Sequence, residues 1–92
     1  MTSEFAETYA LTILSWLVGN EDLLPIFLGA TGASGDDLRE NANAPEFLGA
    51  VLDFVLMDDQ WVISATDATG LNPELMSRAR QMLPGGEQVN WT

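Results

Sequence analysis

The chain has no histidine, no cysteine and no lysine, and its three basic residues, all arginines, stand against 14 acidic residues. Zinc sites are built mainly from cysteine and histidine, thiol chemistry needs cysteine, and Schiff-base and P-loop chemistry need lysine. Histidine is also the usual side chain that titrates near neutral pH. These absences exclude most familiar catalytic chemistry, so we predict a protein that is not an enzyme and uses no cofactor.

The 92 residues carry a formal net charge of -11, yet 47% of them are hydrophobic. This hydrophobic share is too high for a disordered acidic tail, so we expect a soluble domain with one compact core. The residues before the apolar run 11–18 are acidic instead of basic, which argues against a signal peptide. The run is also shorter than the ~20 residues that cross a bilayer. Because a chain without cysteine suits a reducing compartment, we predict a cytoplasmic protein.

Helix-capping and helix-breaking residues divide the chain into six helical segments. Glycine after an apolar run commonly ends a helix, and asparagine, serine or aspartate commonly begins one. On these signals the segments cover approximately residues 4–18, 20–29, 34–41, 43–57, 58–70 and 72–83. We therefore predict an all-α fold, a compact bundle of five to six short helices. One helical domain spans residues 4–84, and residues 85–92 form a C-terminal tail.

The fourth and sixth segments have the most informative patterns. The sixth has a single apolar face at helical spacing. The fourth is apolar nearly all round, with only a thin stripe formed by Glu46, Ala50 and Asp53. Such a helix must be almost enclosed, so we predict it at the centre of the bundle, with the first, second, fifth and sixth helices packed around it.

The chain resembles itself at an offset of 38 residues. The tripeptide Ala-Thr-Gly occurs at residues 30–32 and again at 68–70, and the helix-capping residues Ser34 and Asn72 follow it. Apolar positions of the first and fourth segments also coincide at this offset. The pattern predicts two pseudo-repeated three-helix halves, residues 9–42 and 47–80, although amphipathic helices also agree at some positions by chance.

Three pairs of adjacent acidic residues look at first like metal or acid–base sites: Glu21 and Asp22, Asp36 and Asp37, and Asp58 and Asp59. Each pair stands where a helix is predicted to begin, and there carboxylates accept hydrogen bonds from free backbone N–H groups and oppose the helix dipole. Neither a calcium-loop spacing nor a Gly-rich phosphate loop with lysine accompanies them. We interpret the pairs as helix caps and predict no metal site. A metal-assisted enzyme that uses them is an alternative.

Residues 64–80 have the pattern of a helix-turn-helix, with Gly70 in the turn and both Arg78 and Arg80 on the second helix. DNA binding, however, depends chiefly on neutralising phosphates, which a net charge of -11 opposes. The simpler interpretation is a helical hairpin in which Arg78 pairs with Glu74, four residues earlier. A DNA-binding or regulatory protein is therefore the second interpretation, and nucleic acid is not the expected partner.

The strong negative charge either keeps the protein in solution or attracts a basic partner. Trp16 and Trp61 lie in apolar patterns and are predicted core residues, whereas Trp91 in the tail either folds back on the domain or contacts a partner.

With catalytic chemistry excluded, we predict a non-catalytic protein-interaction module that binds a protein partner or a second copy and does not enter a membrane. Its candidate partner-binding residues are Asp58, Asp59, Arg78, Arg80 and Trp91.

Several short motifs carry a resemblance to a known family. The motifs are Leu14, Ser15, Trp16 and Leu17; Phe27 and Leu28 with Thr31 and Gly32; Glu46, Phe47 and Leu48 with Val51, Leu52, Asp53 and Phe54; and Asn72, Pro73 and Glu74 followed by Ala79, Arg80, Leu83, Pro84 and Gly85. In these motifs, between about residues 7 and 86, the chain resembles a family of short bacterial proteins catalogued only as a domain of unknown function. The resemblance concerns the fold; it implies no chemistry and supplies no site residues.

Overall fold

Six α-helices make up the part of the chain that the computed structural model describes, residues 2–42 and 44–83, and this part contains no strand. The helices are α1 (Ser3–Val18), α2 (Leu23–Thr31), α3 (Gly35–Asn41), α4 (Pro45–Leu56), α5 (Asp59–Thr69) and α6 (Leu75–Met82). The predicted all-α bundle of short helices is confirmed. The predicted tail, residues 85–92 with Trp91, lies outside the described residues.

Helices α1 and α4 form the centre of the bundle, and α5 and α6 pack on both of them. Helix α1 enters the core through Ala6, Tyr9, Ala10, Ile13 and Leu17, none of which is more than 1% exposed. The two alanines keep this face small, so the neighbouring helices approach closely. The enclosed position predicted for α4 is correct, but α1 shares it, and α2 and α3 lie at the edge of the bundle.

A cluster of aromatic rings joins α2 to α4. Phe27 of α2 is fully buried, and its ring meets those of Phe47 and Phe54 edge-on, at centroid distances of 5.9 and 5.3 Å. Trp61 of α5 stacks on Phe54 at 4.8 Å. Trp61 and Trp16 are half-buried and pack against the core, as their sequence patterns predicted. The ring of Phe27 therefore connects α2 to α4.

The predicted helix boundaries at Ser34 and Gly70 are found in the structure. Ser34 and Asp37 form a capping box at α3, in which the Asp37 N–H donates to Ser34 Oγ at 3.3 Å and the Ser34 N–H donates to Asp37 Oδ2 at 2.9 Å. Gly70 has a φ of 76°, the left-handed conformation that favours glycine after a helix. Gly19 is instead right-handed, with a φ of -84°. The chain turns at Asn20, whose Oδ1 accepts hydrogen bonds from two following N–H groups.

The turn after the second helix recurs at the 38-residue offset. Helices α2 and α5 end at Thr31 and Thr69, and a left-handed glycine follows each of them, with φ of 74° and 76°. Each threonine hydroxyl donates to the carbonyl oxygen four residues earlier, at 2.8 and 2.7 Å. Beyond these turns the halves differ, because α6 packs widely on α1 and α4 whereas α3 has extensive contact with no other helix. The first half is consequently more open than the second.

Helices α1 and α2 meet at a sharp bend of 115°. Within residues 2–42 and 44–83, no single helix combines the length and the hydropathy that a membrane span requires. The bent pair formed by α1 and α2 meets that requirement by length and composition alone.

Candidate functional site

Asp58 and Asp59, two of the candidate partner-binding residues, begin helix α5. Asp58 is the N-cap, and its Oδ1 accepts a hydrogen bond from the Gln60 N–H at 2.8 Å. Asp59 is the first residue of the helix, where a carboxylate opposes the helix dipole. Both residues therefore have the local structural role that the cap interpretation assigned to them.

Replacement of Asp58 by alanine is expected to lower the free energy of unfolding by about 1 kcal/mol, because an N–H group at the start of α5 loses its acceptor. Asp59→Ala should cost about 0.3–1 kcal/mol, since it removes only a charge near the positive end of the dipole. Asp58→Asn is the matched control, because asparagine caps helices as well as aspartate does. Urea unfolding followed by circular dichroism measures all three. A loss in Asp58→Asn equal to that in Asp58→Ala would contradict the cap role.

The other two acidic pairs also lie at helix starts. Asp36 and Asp37 occupy the first turn of α3, where Asp37 belongs to the capping box. Asp22 directly precedes α2, but the oxygen that caps this helix belongs to Asn20. Across the two described ranges, no three acidic side chains are grouped so that they could hold a metal ion. The metal-assisted alternative therefore has no ligand cluster in this part of the chain.

Arg80, a third candidate residue, is held inside the fold. Its Nε and Nη2 donate to the two carboxylate oxygens of Asp53 on α4, at 2.6 and 2.8 Å. The side chain of Arg80 is 14% exposed and that of Asp53 is 57% exposed. The bidentate geometry fixes the plane of the guanidinium group and ties α6 to α4. Within the described residues this is the only ion pair.

Arg78 lies on the exposed side of α6, and no ion pair joins it to Glu74, in contrast to the pairing that the spacing predicted. Helices α5 and α6 do follow each other around Gly70, as a helix-turn-helix requires. Because Asp53 binds Arg80, however, Arg78 is the only exposed arginine of the predicted recognition helix. One exposed arginine is a weak basis for phosphate contacts on a protein of this net charge.

A groove with a volume of about 540 Å³ lies between α1, α2 and α3. Its apolar lining comes from all three helices, namely Leu11, Leu14 and Val18 of α1, Leu24 of α2 and Leu38 of α3. Leu11 and Val18 are 39% and 48% exposed. Arg39 lines the groove from α3. Leu14 and Leu38 are buried, but because α3 packs only slightly on the bundle, the described part of the chain leaves Leu11 and Val18 uncovered.

A second cavity of about 460 Å³ continues the groove along α1. It is lined by Glu4, Glu7, Thr8, Leu11 and Leu48, and it shares Leu11 with the first cavity. The α1 residues that line the two cavities follow the three- and four-residue spacing of one helix face. We name the two cavities together the α1 groove. It has an apolar half, edged by Arg39, and an acidic half that contains Glu4 and Glu7.

The sequence interpretation missed the α1 groove. The apolar run 11–18 predicts core positions, and Ile13 and Leu17 are indeed fully buried, but Leu11 and Val18 are exposed. A signal was present, because α1 carries apolar residues on two faces whereas a helix at a surface needs only one. Which of the two faces lacks a neighbouring helix depends on where α3 packs, and the pattern of α1 contains no information about that.

The sequence matches one family model over residues 3–86, that of the family described as Protein of unknown function (DUF3572). No curated protein and no solved structure matches the chain. The match includes all six helices, and therefore both the α1 groove and the Asp53–Arg80 ion pair. The predicted resemblance to a family of unknown function is confirmed.

Proposed function

The chain belongs to the DUF3572 family, whose function is unknown, and we propose that it is a non-catalytic protein-interaction module that binds a basic protein partner. It acts without a cofactor and presents acidic helix ends and a groove between helices to that partner. The proposal places the module in the cytoplasm, since a chain without cysteine has no need of an oxidising compartment. The exposure of its carboxylates is the observation that carries the proposal.

The acidic side chains of the described residues are accessible to a partner. No aspartate or glutamate in this part of the chain is buried. Asp53 is the only acidic residue with an ion pair inside the described ranges. Exposed charge without a counter-charge on the same surface accelerates the encounter with an oppositely charged protein.

The half of the fold that has the uncovered apolar surface is also the more acidic of the two. Residues 2–42 contain seven acidic residues and one arginine, residues 44–83 contain six and two, and most of the α1 groove is formed by residues 2–42. Protein interfaces commonly combine an apolar centre with a polar rim that selects the partner. The first half has both parts of such an interface.

Recovery of the tagged protein from a lysate of its own source, at low and at high salt, tests the proposal. We expect a partner rich in lysine or arginine that is retained at low salt and lost at high salt, because salt screens exposed charges. A variant that neutralises acidic residues of the first half should lose this partner; it combines Glu4→Gln, Glu7→Gln and Glu40→Gln. The matched control removes the same charge from the second half; it combines Glu46→Gln, Asp67→Asn and Glu74→Gln.

Light scattering on the purified protein completes this experiment, because it separates a free monomer from a self-associated form. A monomer that recovers no partner at either salt concentration would contradict the proposed function. Equal loss of the partner in both neutralised variants would show that only total charge matters, and would contradict an interface in the first half.

A further inference from the structure

The α1 groove has the length of a short helix. Its α1 side runs from Glu4 to Val18 in one continuous helix, or about 21 Å at a rise of 1.5 Å per residue. A partner helix of about 14 residues has the same length. Such a helix would contact the apolar half of the groove through residues at positions i, i+3, i+4 and i+7.

The second half of the fold shows what covers the corresponding surface there. At the 38-residue offset, Val18 corresponds to Leu56 and Leu38 to Met76. Met76 is fully buried and Leu56 half-buried, because α6 packs on α4 and α1. Leu38 is also buried, at 8% exposure, but α3 has extensive contact with neither α1 nor α4, and Val18 is 48% exposed. One added helix in the α1 groove would cover Leu11 and Val18.

The charges along the groove indicate the chemistry of the added helix. Glu4 and Glu7 line one half of the groove, and Arg39 lines the other. A helix with basic residues beside the two glutamates and neutral polar residues near Arg39 is complementary to this arrangement. A second copy of the chain is not, because each copy has a net charge of -11 and the two repel each other.

We propose that the α1 groove binds one basic amphipathic helix of a protein partner, with its apolar face against Leu11 and Val18 and its basic residues beside Glu4 and Glu7. This inference rests on the proposed function, since it assigns the docking site and the partner class of the same module. The helix enters as a separate element and leaves the packing of α1 on α4 unchanged.

Binding of synthetic peptides to the full chain tests this docking site. The probe is a labelled 14-residue peptide with leucines at helical spacing, lysines in its N-terminal half and glutamines elsewhere, and fluorescence anisotropy measures its Kd. The control peptide has the same composition in an order that removes the apolar face. We expect the control to bind at least about tenfold more weakly, because its leucines cannot enter the groove together.

Matched protein variants locate the site. Val18→Asp should weaken probe binding at least about tenfold, because it places a charge in the apolar half of the groove. Ile63→Asp is the control, since Ile63 is 56% exposed on α5, outside the groove, and the change of charge is identical. If either aspartate variant fails to fold by circular dichroism, Val18→Ser and Ile63→Ser replace the pair with the same expected order. Equal weakening in the variants at the two positions would overturn the docking site.

Three further outcomes separate this inference from the proposed function. Tight, salt-sensitive binding of the control peptide would overturn the docking site while leaving the acidic interaction surface in place. A dimer in light scattering that Val18→Ser converts to a monomer, while Ile63→Ser does not, would overturn the basic helix as occupant in favour of a second copy. Absence of any binding by either peptide would overturn the docking site, and the lysate experiment would then decide the proposed function alone.

Discussion

Replacement of Phe27 by alanine is expected to lower the free energy of unfolding by about 3–5 kcal/mol, a large share of the stability of a domain of this size. Phe27 is fully buried and meets Phe47 and Phe54 edge-on, so the substitution removes apolar burial and two aromatic contacts at once. Helix α2 buries only one other side chain, that of Leu23. Loss of the ring should therefore also loosen α2, which urea unfolding and the helical signal in circular dichroism will record.

Ile26→Ala is the matched control for this prediction. Ile26 is adjacent in sequence and lies in the same helix, but it is 50% exposed. Its truncation should cost less than about 1 kcal/mol, because surface positions tolerate substitution. If Phe27→Ala cost no more stability than Ile26→Ala, this ring would not anchor α2. Another contact would then have to hold α2 in place beside the α1 groove.

The second large effect concerns alkaline pH, where the stability of the protein should depend on one side chain. Tyr9 is the only tyrosine, and the chain has no lysine, cysteine or histidine, so no other side chain titrates between about pH 9 and 12. Tyr9 is 1% exposed, and its hydroxyl donates to the carbonyl oxygen of Asn72 at 2.7 Å. Burial raises the pKa of the Tyr9 phenol above its ordinary value of 10.0, because the charged form is desolvated.

We therefore expect ionisation of Tyr9 to leave the free energy of unfolding unchanged below about pH 10, and the free energy of unfolding to fall as the pH rises beyond it. The unfolded chain releases the proton at the ordinary pKa, whereas the folded chain holds it until the raised pKa is reached. Between these two pKa values the unfolded state binds fewer protons than the folded state. The free energy of unfolding therefore decreases as the pH rises, by at most about 1.4 kcal/mol per pH unit. Urea unfolding at successive pH values from 8 to 12 measures the slope.

Tyr9→Phe isolates this effect. Its ring fills the same space, but it cannot ionise and cannot donate to Asn72. At neutral pH we expect a loss of about 0.5–1.5 kcal/mol for the missing hydrogen bond, and at high pH a stability that no longer falls with the wild-type slope. The same slope in wild type and Tyr9→Phe would show that the alkaline transition has a cause other than this phenol.

The features of the fold that depend only on residues close together in the sequence could be predicted from it. The capping box of Ser34 and Asp37, the cap at Asp58 and the end of a helix at Gly70 are decided within a few residues of chain, because capping atoms reach only the adjacent turn. The enclosure of α4 was equally predictable, because apolar residues on nearly all sides of a helix require neighbours on nearly all sides. Met57 is an exception: it ends the same apolar pattern and is 74% exposed.

The ion pair of Arg80 could not be predicted from local spacing. The i,i+4 rule predicted a pair between Arg78 and Glu74, yet the structure shows a bidentate pair between Arg80 and Asp53, which are 27 residues apart. An exposed i,i+4 pair contributes about 0.3–0.5 kcal/mol, whereas a bidentate pair with a mostly buried guanidinium is stronger and has fixed geometry. The packing of α6 against α4 brings the two residues together. The sequence pattern of neither helix by itself indicates this contact.

By itself the sequence determined that the described chain is helical, where most of its helices begin and end, that no familiar catalytic side-chain set is available, and that its charge is strongly negative. Only the tertiary structure decided which apolar residues of α1 are core and which line a groove. Leu17 is buried and Val18, the next residue, is half exposed, because α4, α5 and α6 cover one face of α1 while α3 leaves the other open. The periodicity of apolar residues shows that a helix face is apolar. Whether another helix covers that face depends on where distant segments of the chain pack.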